Sequence, residues 1–121
     1  MATSLQRTDI VERIVATIRS HYAERVTLRR LADSVGRHPS YISVVFRKQM
    51  GITVHMYLTR HRLECAADLI TQGDKIEAVS MCVGYRSKTN FYRQFKRYFG
   101  TTPEQYRRRR PRLVPGCLER E

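Results

Sequence analysis

Apolar residues recur every three or four positions along nearly the whole chain, and the breaks between these runs fall at Gly, Pro and Thr. That spacing predicts amphipathic helices. Ile10, Val11, Ile14, Val15 and Ile18 line one face of a helix that opens at Thr8 or Asp9 and runs to about Tyr22. Thr27 caps a short helix with Leu28, Leu31, Ala32 and Val35 inward, and Gly36 ends it. His38-Pro39-Ser40 starts the next, with Ile42, Val45 and Phe46 facing the core and Gly51 at its end. Thr53 caps a long helix over residues 54–71, expected to bury Met56, Leu63, Ala66, Ala67 and Ile70 or near neighbours. After the turn at Gln72-Gly73-Asp74, Ile76, Val79 and Val83 line a short helix closed by Gly84. Ser87 or Lys88 opens a basic helix in which Phe91, Phe95 and Phe99 recur at i, i+4 and i+8, and Gly100 stops it. Pro103 begins a last helix ending near Arg109, and Pro111 and Pro115 prevent its extension. No strand-like alternation is long enough to count. The expected class is all-α, with about seven helices.

The pattern contains itself twice. Leu28, Leu31, Val35 and Gly36 recur 48 positions later as Ile76, Val79, Val83 and Gly84. Ile42, Phe46, Arg47, Gly51, Thr53 and Tyr57 recur 49 positions later as Phe91, Phe95, Lys96, Gly100, Thr102 and Tyr106. The extra residue of the second copy falls in the turn after the Gly. A repeat that keeps its core positions and varies its turn is one folding unit used twice. The unit is a short helix, a turn with Gly and a longer helix, which is the helix-turn-helix pattern. The expected organisation is a flexible N-terminus at 1–7, a first helix-turn-helix subdomain at 8–52, a connecting helix at 53–72, a second subdomain at 73–110 and a tail at 111–121.

Charge narrows the partner. Lys and Arg number 23 against 11 Asp and Glu in 121 residues, a net charge of +12. Such a surplus favours a polyanion, nucleic acid above all. No run approaches the ~20 apolar residues of a membrane span, and Asp9, Glu12 and Arg13 interrupt any signal-peptide core. Cys65, Cys82 and Cys117 are odd in number and far apart, which suits neither a disulfide framework nor a zinc site and points to a reducing cytoplasm. No cofactor or metal is expected.

Most helix-turn-helix proteins reach two successive major grooves by dimerising, with half-sites about 34 Å apart. Two units joined by one stiff helix achieve this as a monomer, because 18 residues at ~1.5 Å each span ~27 Å. The site is then asymmetric, since the two heads carry different side chains.

The residues L28-x2-L31-A32-x3-G36, Y41-I42-S43-x2-F46-R47-x3-G51 and R62-x3-A66-x2-L69-I70 resemble the DNA-binding domain of AraC-type transcriptional regulators. So does I76-x2-V79-x3-V83-G84-Y85-x-S87-x3-F91-x3-F95-K96-x3-G100-x-T102-P103-x2-Y106-R107. The resemblance covers about residues 8–110, and its second half is the more specific. It implies seven helices in two helix-turn-helix subdomains joined by a long central helix, a sequence-specific regulator on double-stranded DNA, and RNA polymerase as a further partner. Most such regulators carry a sensor or dimerisation domain ahead of this module. The chain resembles either a short stand-alone member or the C-terminal part of a longer one.

By position, the family's base-reading residues fall on Ser40, Ser43 and Val44 in the first head. Val44 stands where the family usually has a polar residue, often Arg. It either packs on a thymine methyl, giving an A·T bias, or packs on a protein neighbour. In the second head the groove-facing set is Lys88, Thr89, Tyr92 and Arg93. Arg93 is the strongest single candidate, because Arg bonds guanine O6 and N7 together. Arg47, Lys48, Lys96 and Arg97 suit phosphates, which position a protein without reading sequence. His38 is a phosphate neighbour, and the helix-start amides at Thr8-Asp9 and Thr53 suit phosphate too. Arg62 either ties the central helix to its surroundings or meets phosphate. Arg107 to Arg110 with Arg112 form a basic tail that either grazes DNA or is solvated.

Two other functions fit less well. A non-specific, architectural or RNA-binding protein agrees with the charge, but the helical spacing of the aromatics buries them instead of exposing them for stacking. An enzyme on DNA lacks any cluster of carboxylate, His or Cys able to hold a nucleophile or metal.

Overall fold

The computed structural model describes residues 6–109 and shows seven helices there and no strand. Residues 1–5 and 110–121, with Arg110, Arg112 and the tail at 111–121, lie outside the described residues. The elements are α1 (Arg7–His21), α2 (Leu28–Val35), α3 (Pro39–Met50), α4 (Val54–Thr71), α5 (Ile76–Cys82), α6 (Lys88–Phe99) and α7 (Pro103–Arg109). The chain divides into two compact units between His61 and Arg62, inside α4.

In the first unit, Ile10, Ile14 and Ile18 of α1 meet Leu31 and Ala32 of α2 and Ile42 and Phe46 of α3, all essentially without solvent contact. Tyr57 and Leu58, at the start of α4, close this core. Met56 itself is 54% exposed, and its neighbours Tyr57 and Leu58 are the buried residues at this end of the helix. The heptad spacing of Leu63 and Ile70 does not extend back to it, because the first unit draws on Tyr57 and Leu58. In the second unit, Leu63, Ala66, Ala67 and Ile70 of α4 are buried with Val79 and Val83, and with Phe91 and Phe95 of α6. The Phe95 ring lies 5.7 Å from Phe91, 4.6 Å from Phe99 and 5.4 Å from Tyr106, in tilted and edge-on contacts that aromatic quadrupoles favour. Phe99 is only partly buried, yet it packs on Phe95 and Tyr106 and belongs to this aromatic cluster.

The local chemistry of the ends explains where most of the helices start and stop. Thr27, Thr53, Ser87 and Thr102 each accept a backbone N–H from three residues on, at 3.0–3.2 Å. Gln105 returns the favour by accepting the N–H of Thr102 at 3.2 Å, a reciprocal capping pair. α1 differs from expectation. It begins at Arg7 after Gln6, which gives no side-chain cap, so Thr8 and Asp9 lie inside its first turn. Asp9 still suits the positive end of the helix dipole there.

The repeat is explicit in the backbone. α3 and α6 are both 12 residues long and start 49 positions apart. Gly36 and Arg37 donate to Asp33 and Ala32 carbonyls, and Gly84 and Tyr85 donate to Met81 and Ser80 in the same pattern. Gly51 and Gly100 end the longer helices at φ of 81° and 80°, a left-handed conformation in which a Cβ strains the chain. The extra residue of the second copy sits between Gly84 and α6.

Candidate nucleic-acid interface

α3 and α6 each turn one face to the core and leave the other uncovered. On α3, Ile42, Val45 and Phe46 are buried, whereas Ser40, Ser43, Val44, Arg47 and Lys48 are exposed. Val44 is 61% exposed, so most of its side chain is left uncovered by protein neighbours. Tyr41, 37% exposed, extends this face, with the Arg37 guanidinium 6.0 Å from its ring centroid. Together with Val44 and Val45, it lines a shallow groove of about 310 Å³ that Arg7, Lys48 and Gln49 also border. His38 caps α3: its Nδ1 accepts the Ser40 N–H at 3.1 Å. That leaves its other ring nitrogen as the proton carrier. The Thr53 hydroxyl is likewise occupied, by the Met56 N–H.

The 49-residue offset places Thr89, Tyr92, Arg93, Lys96 and Arg97 of α6 where α3 has Ser40, Ser43, Val44, Arg47 and Lys48. Thr89, Arg93, Lys96 and Arg97 are exposed. Arg93 has no hydrogen-bonding or ionic partner among the described residues. Neither helix has an acidic residue in its first turn, and both carry two cations in their last. Those last-turn cations also complement the helix dipole, so part of their effect is structural.

Lys88 and Tyr92 are not free. Lys88 Nζ lies 2.9 Å from Glu77 Oε2 and 5.7 Å from the Tyr92 ring centroid. The Tyr92 hydroxyl donates to Glu104. The bond to Glu77 raises the Lys88 pKa, and the same bond lowers that of Glu77. Partial burial, and then the bond to Glu104, push Tyr92 up to about 12. Glu77 and Glu104 sit 11 residues before Lys88 and 12 after Tyr92. No periodicity within α6 points to them; only packing of α5 and α7 beside it brings them in.

Two arginines are engaged by other residues of the second unit. Arg62 packs its guanidinium 6.0 Å from the Tyr85 ring, and burial lowers its pKa from the ordinary value. This favours the tying role. Arg107 leaves the basic tail: Nε donates to the Ile70 carbonyl at 3.1 Å and a terminal nitrogen donates to Asp74 O, covering the end of α4.

Residues 31–109 match the family described as a helix-turn-helix domain. The C-terminal domain of AraT, a response regulator from Geobacillus stearothermophilus, has a similar structure, with a TM-score of 0.82, 32% identity and 89% of each chain covered. A DNA-binding transcriptional dual regulator from Escherichia coli K-12 gives a TM-score of 0.75 and 29% identity, over 84% of this chain and 97% of that one. The melibiose operon regulatory protein of Escherichia coli K12 is 29% identical over 110 residues, covering 88% of this chain. The chain spans about a third of that relative's length, 36%.

Proposed function

Since the chain belongs to the AraC-type family of helix-turn-helix domains, we propose that it reads double-stranded DNA for a transcription regulator, with α3 and α6 entering successive major grooves. The observation that carries this reading is the pair of equivalent, solvent-facing helix surfaces on α3 and α6, each ending in two exposed cations. The net charge of +12 supports a polyanionic partner. Ser40, Ser43, Val44, Lys88, Thr89, Tyr92 and Arg93 face bases; His38, Arg47, Lys48, Thr53, Lys96 and Arg97 face phosphates. The module binds as a monomer, acts in the cytoplasm and works with RNA polymerase as an activator. Among the described residues no helix is long and apolar enough to cross a membrane.

Selection from a random duplex pool, followed by titration against scrambled duplex at two salt concentrations, tests the reading. The expected winner has two unlike elements about one helical turn apart. Binding without a consensus that collapses with salt leaves only charge, and overturns sequence reading.

A further inference from the structure

The outer face of α6 is held at both edges by carboxylates from its neighbours. Glu77 of α5 takes Lys88 Nζ at 2.9 Å, and Glu104 of α7 accepts the Tyr92 proton. Lys88 and Tyr92 stand one turn apart and touch through the ring. Among the described residues, no carboxylate is bonded to an outward side chain of α3. We infer that Glu77 and Glu104 determine specificity in the second head by fixing its hydrogen-bond polarity, with Lys88 as donor and Tyr92 as acceptor. The inference rests on the DNA-reading function proposed above and states what that face selects.

The chemistry follows from counting protons. An ammonium has three donors, so Lys88 keeps Glu77 and still donates to a neutral acceptor such as guanine O6 or N7. A phosphate competes with Glu77 for the same charge and brings a second anion beside it, which is repulsive. A phenol has one proton, and Tyr92 gives it to Glu104. Its oxygen is left to accept from an amino group, cytosine N4 or adenine N6. A phosphate offers no proton for it. The two carboxylates thus make the wrong partner worse, which is as effective in discrimination as improving the right one. Both ion-bearing contacts are solvent-exposed, so they add little to stability and their removal leaves the fold intact.

The test titrates the full chain as wild type, Glu77→Gln and Glu104→Ala against the selected and the scrambled duplex at two salt concentrations. Wild-type preference for the selected duplex tests the reading itself. Given that preference, both variants should bind scrambled duplex about three- to tenfold tighter, with little gain on the selected one; the salt slope should steepen by about one in Glu77→Gln, which frees an ammonium, and stay near wild type in Glu104→Ala, which frees a neutral phenol. Glu104→Ala and Tyr92→Phe should relax preference at the same base pair, one presenting an amino group. A specificity ratio unchanged or higher in either carboxylate variant overturns the inference alone. A wild type with no preference ends the reading and the inference together.

Discussion

Where α3 carries Val44, α6 carries Arg93, and where α3 carries Ser43, α6 carries Tyr92. The inward positions behave differently: Ile42 answers to Phe91 and Phe46 to Phe95, all four fully buried. Core positions exchange one apolar residue for another, because anything polar there loses its water. Outward positions exchange chemistry more freely, because no core has to be filled there, although Lys88 and Tyr92 answer to carboxylates of neighbouring helices. The outcome is a weakly polar, partly apolar first face and a second face rich in hydrogen-bonding groups tied to carboxylates. Two copies of one helix can therefore fold alike and read differently.

The sharpest break of that comparison lies in the core. Phe46→Ala and Phe95→Ala remove equivalent rings, and each should cost about 3–5 kcal/mol. Phe95 should be the costlier, because it touches the rings of Phe91, Phe99 and Tyr106, whereas Phe46 meets one ring, that of Tyr57. Chemical denaturation of the two variants side by side gives the order. Equal losses would mean that the aromatic cluster adds nothing beyond its area.

The reading faces come next in size. Arg93→Ala should lose about 1–3 kcal/mol of discrimination at one base pair of the second element. Val44→Arg should sharpen the first head by creating guanine preference at the equivalent pair of the first element, again by about 1–3 kcal/mol. Competition with all four base pairs at each position measures both. If Val44→Arg instead raised affinity for every sequence alike, the new cation would be meeting phosphate, and the positional equivalence of Val44 and Arg93 on DNA would fail.

Most of this fold was legible because it is local. Apolar spacing, Thr and Ser caps and Gly stops act within one turn, and they located six of the seven helix starts and the repeat. α1 was less legible, since Gln6 opens it with no side-chain cap to announce it. Met56 misled because helical periodicity states which residues share a face, not which unit that face meets. Glu77, Glu104 and the bonds of Arg107 to Ile70 and Asp74 were invisible for one reason. They link residues 11 to 37 positions apart, and only tertiary packing supplies their partners.

The helix stops give a comparison in which the two units should agree. Gly51 and Gly100 share their φ within a degree, and an added Cβ has no neighbour within 4 Å at either. Gly51→Ala and Gly100→Ala should therefore cost the same, about 1–2 kcal/mol, from backbone strain alone. Unequal costs in thermal denaturation would show that one turn relaxes and the other does not.

The smallest effects separate the caps. Thr53 and Thr102 hold equivalent positions, and each accepts one N–H, from Met56 and Gln105 respectively. Only Thr102 has a returning partner, since the Gln105 side chain accepts its backbone N–H. Thr53→Ala and Thr102→Ala should each cost about 0.5–2 kcal/mol. Gln105→Ala, which leaves the Thr102 hydroxyl in place, isolates the return bond, with a further loss of about 0.5–1.5 kcal/mol. In the first unit the residue three after Thr53 is Met56, so Met56→Gln should build the missing bond and stabilise that helix start. Hydrogen exchange at the Thr53 and Thr102 amides reads this directly. Protection should appear at Thr53 in Met56→Gln and disappear at Thr102 in Gln105→Ala, so that substitution of one residue in each copy interchanges their behaviour.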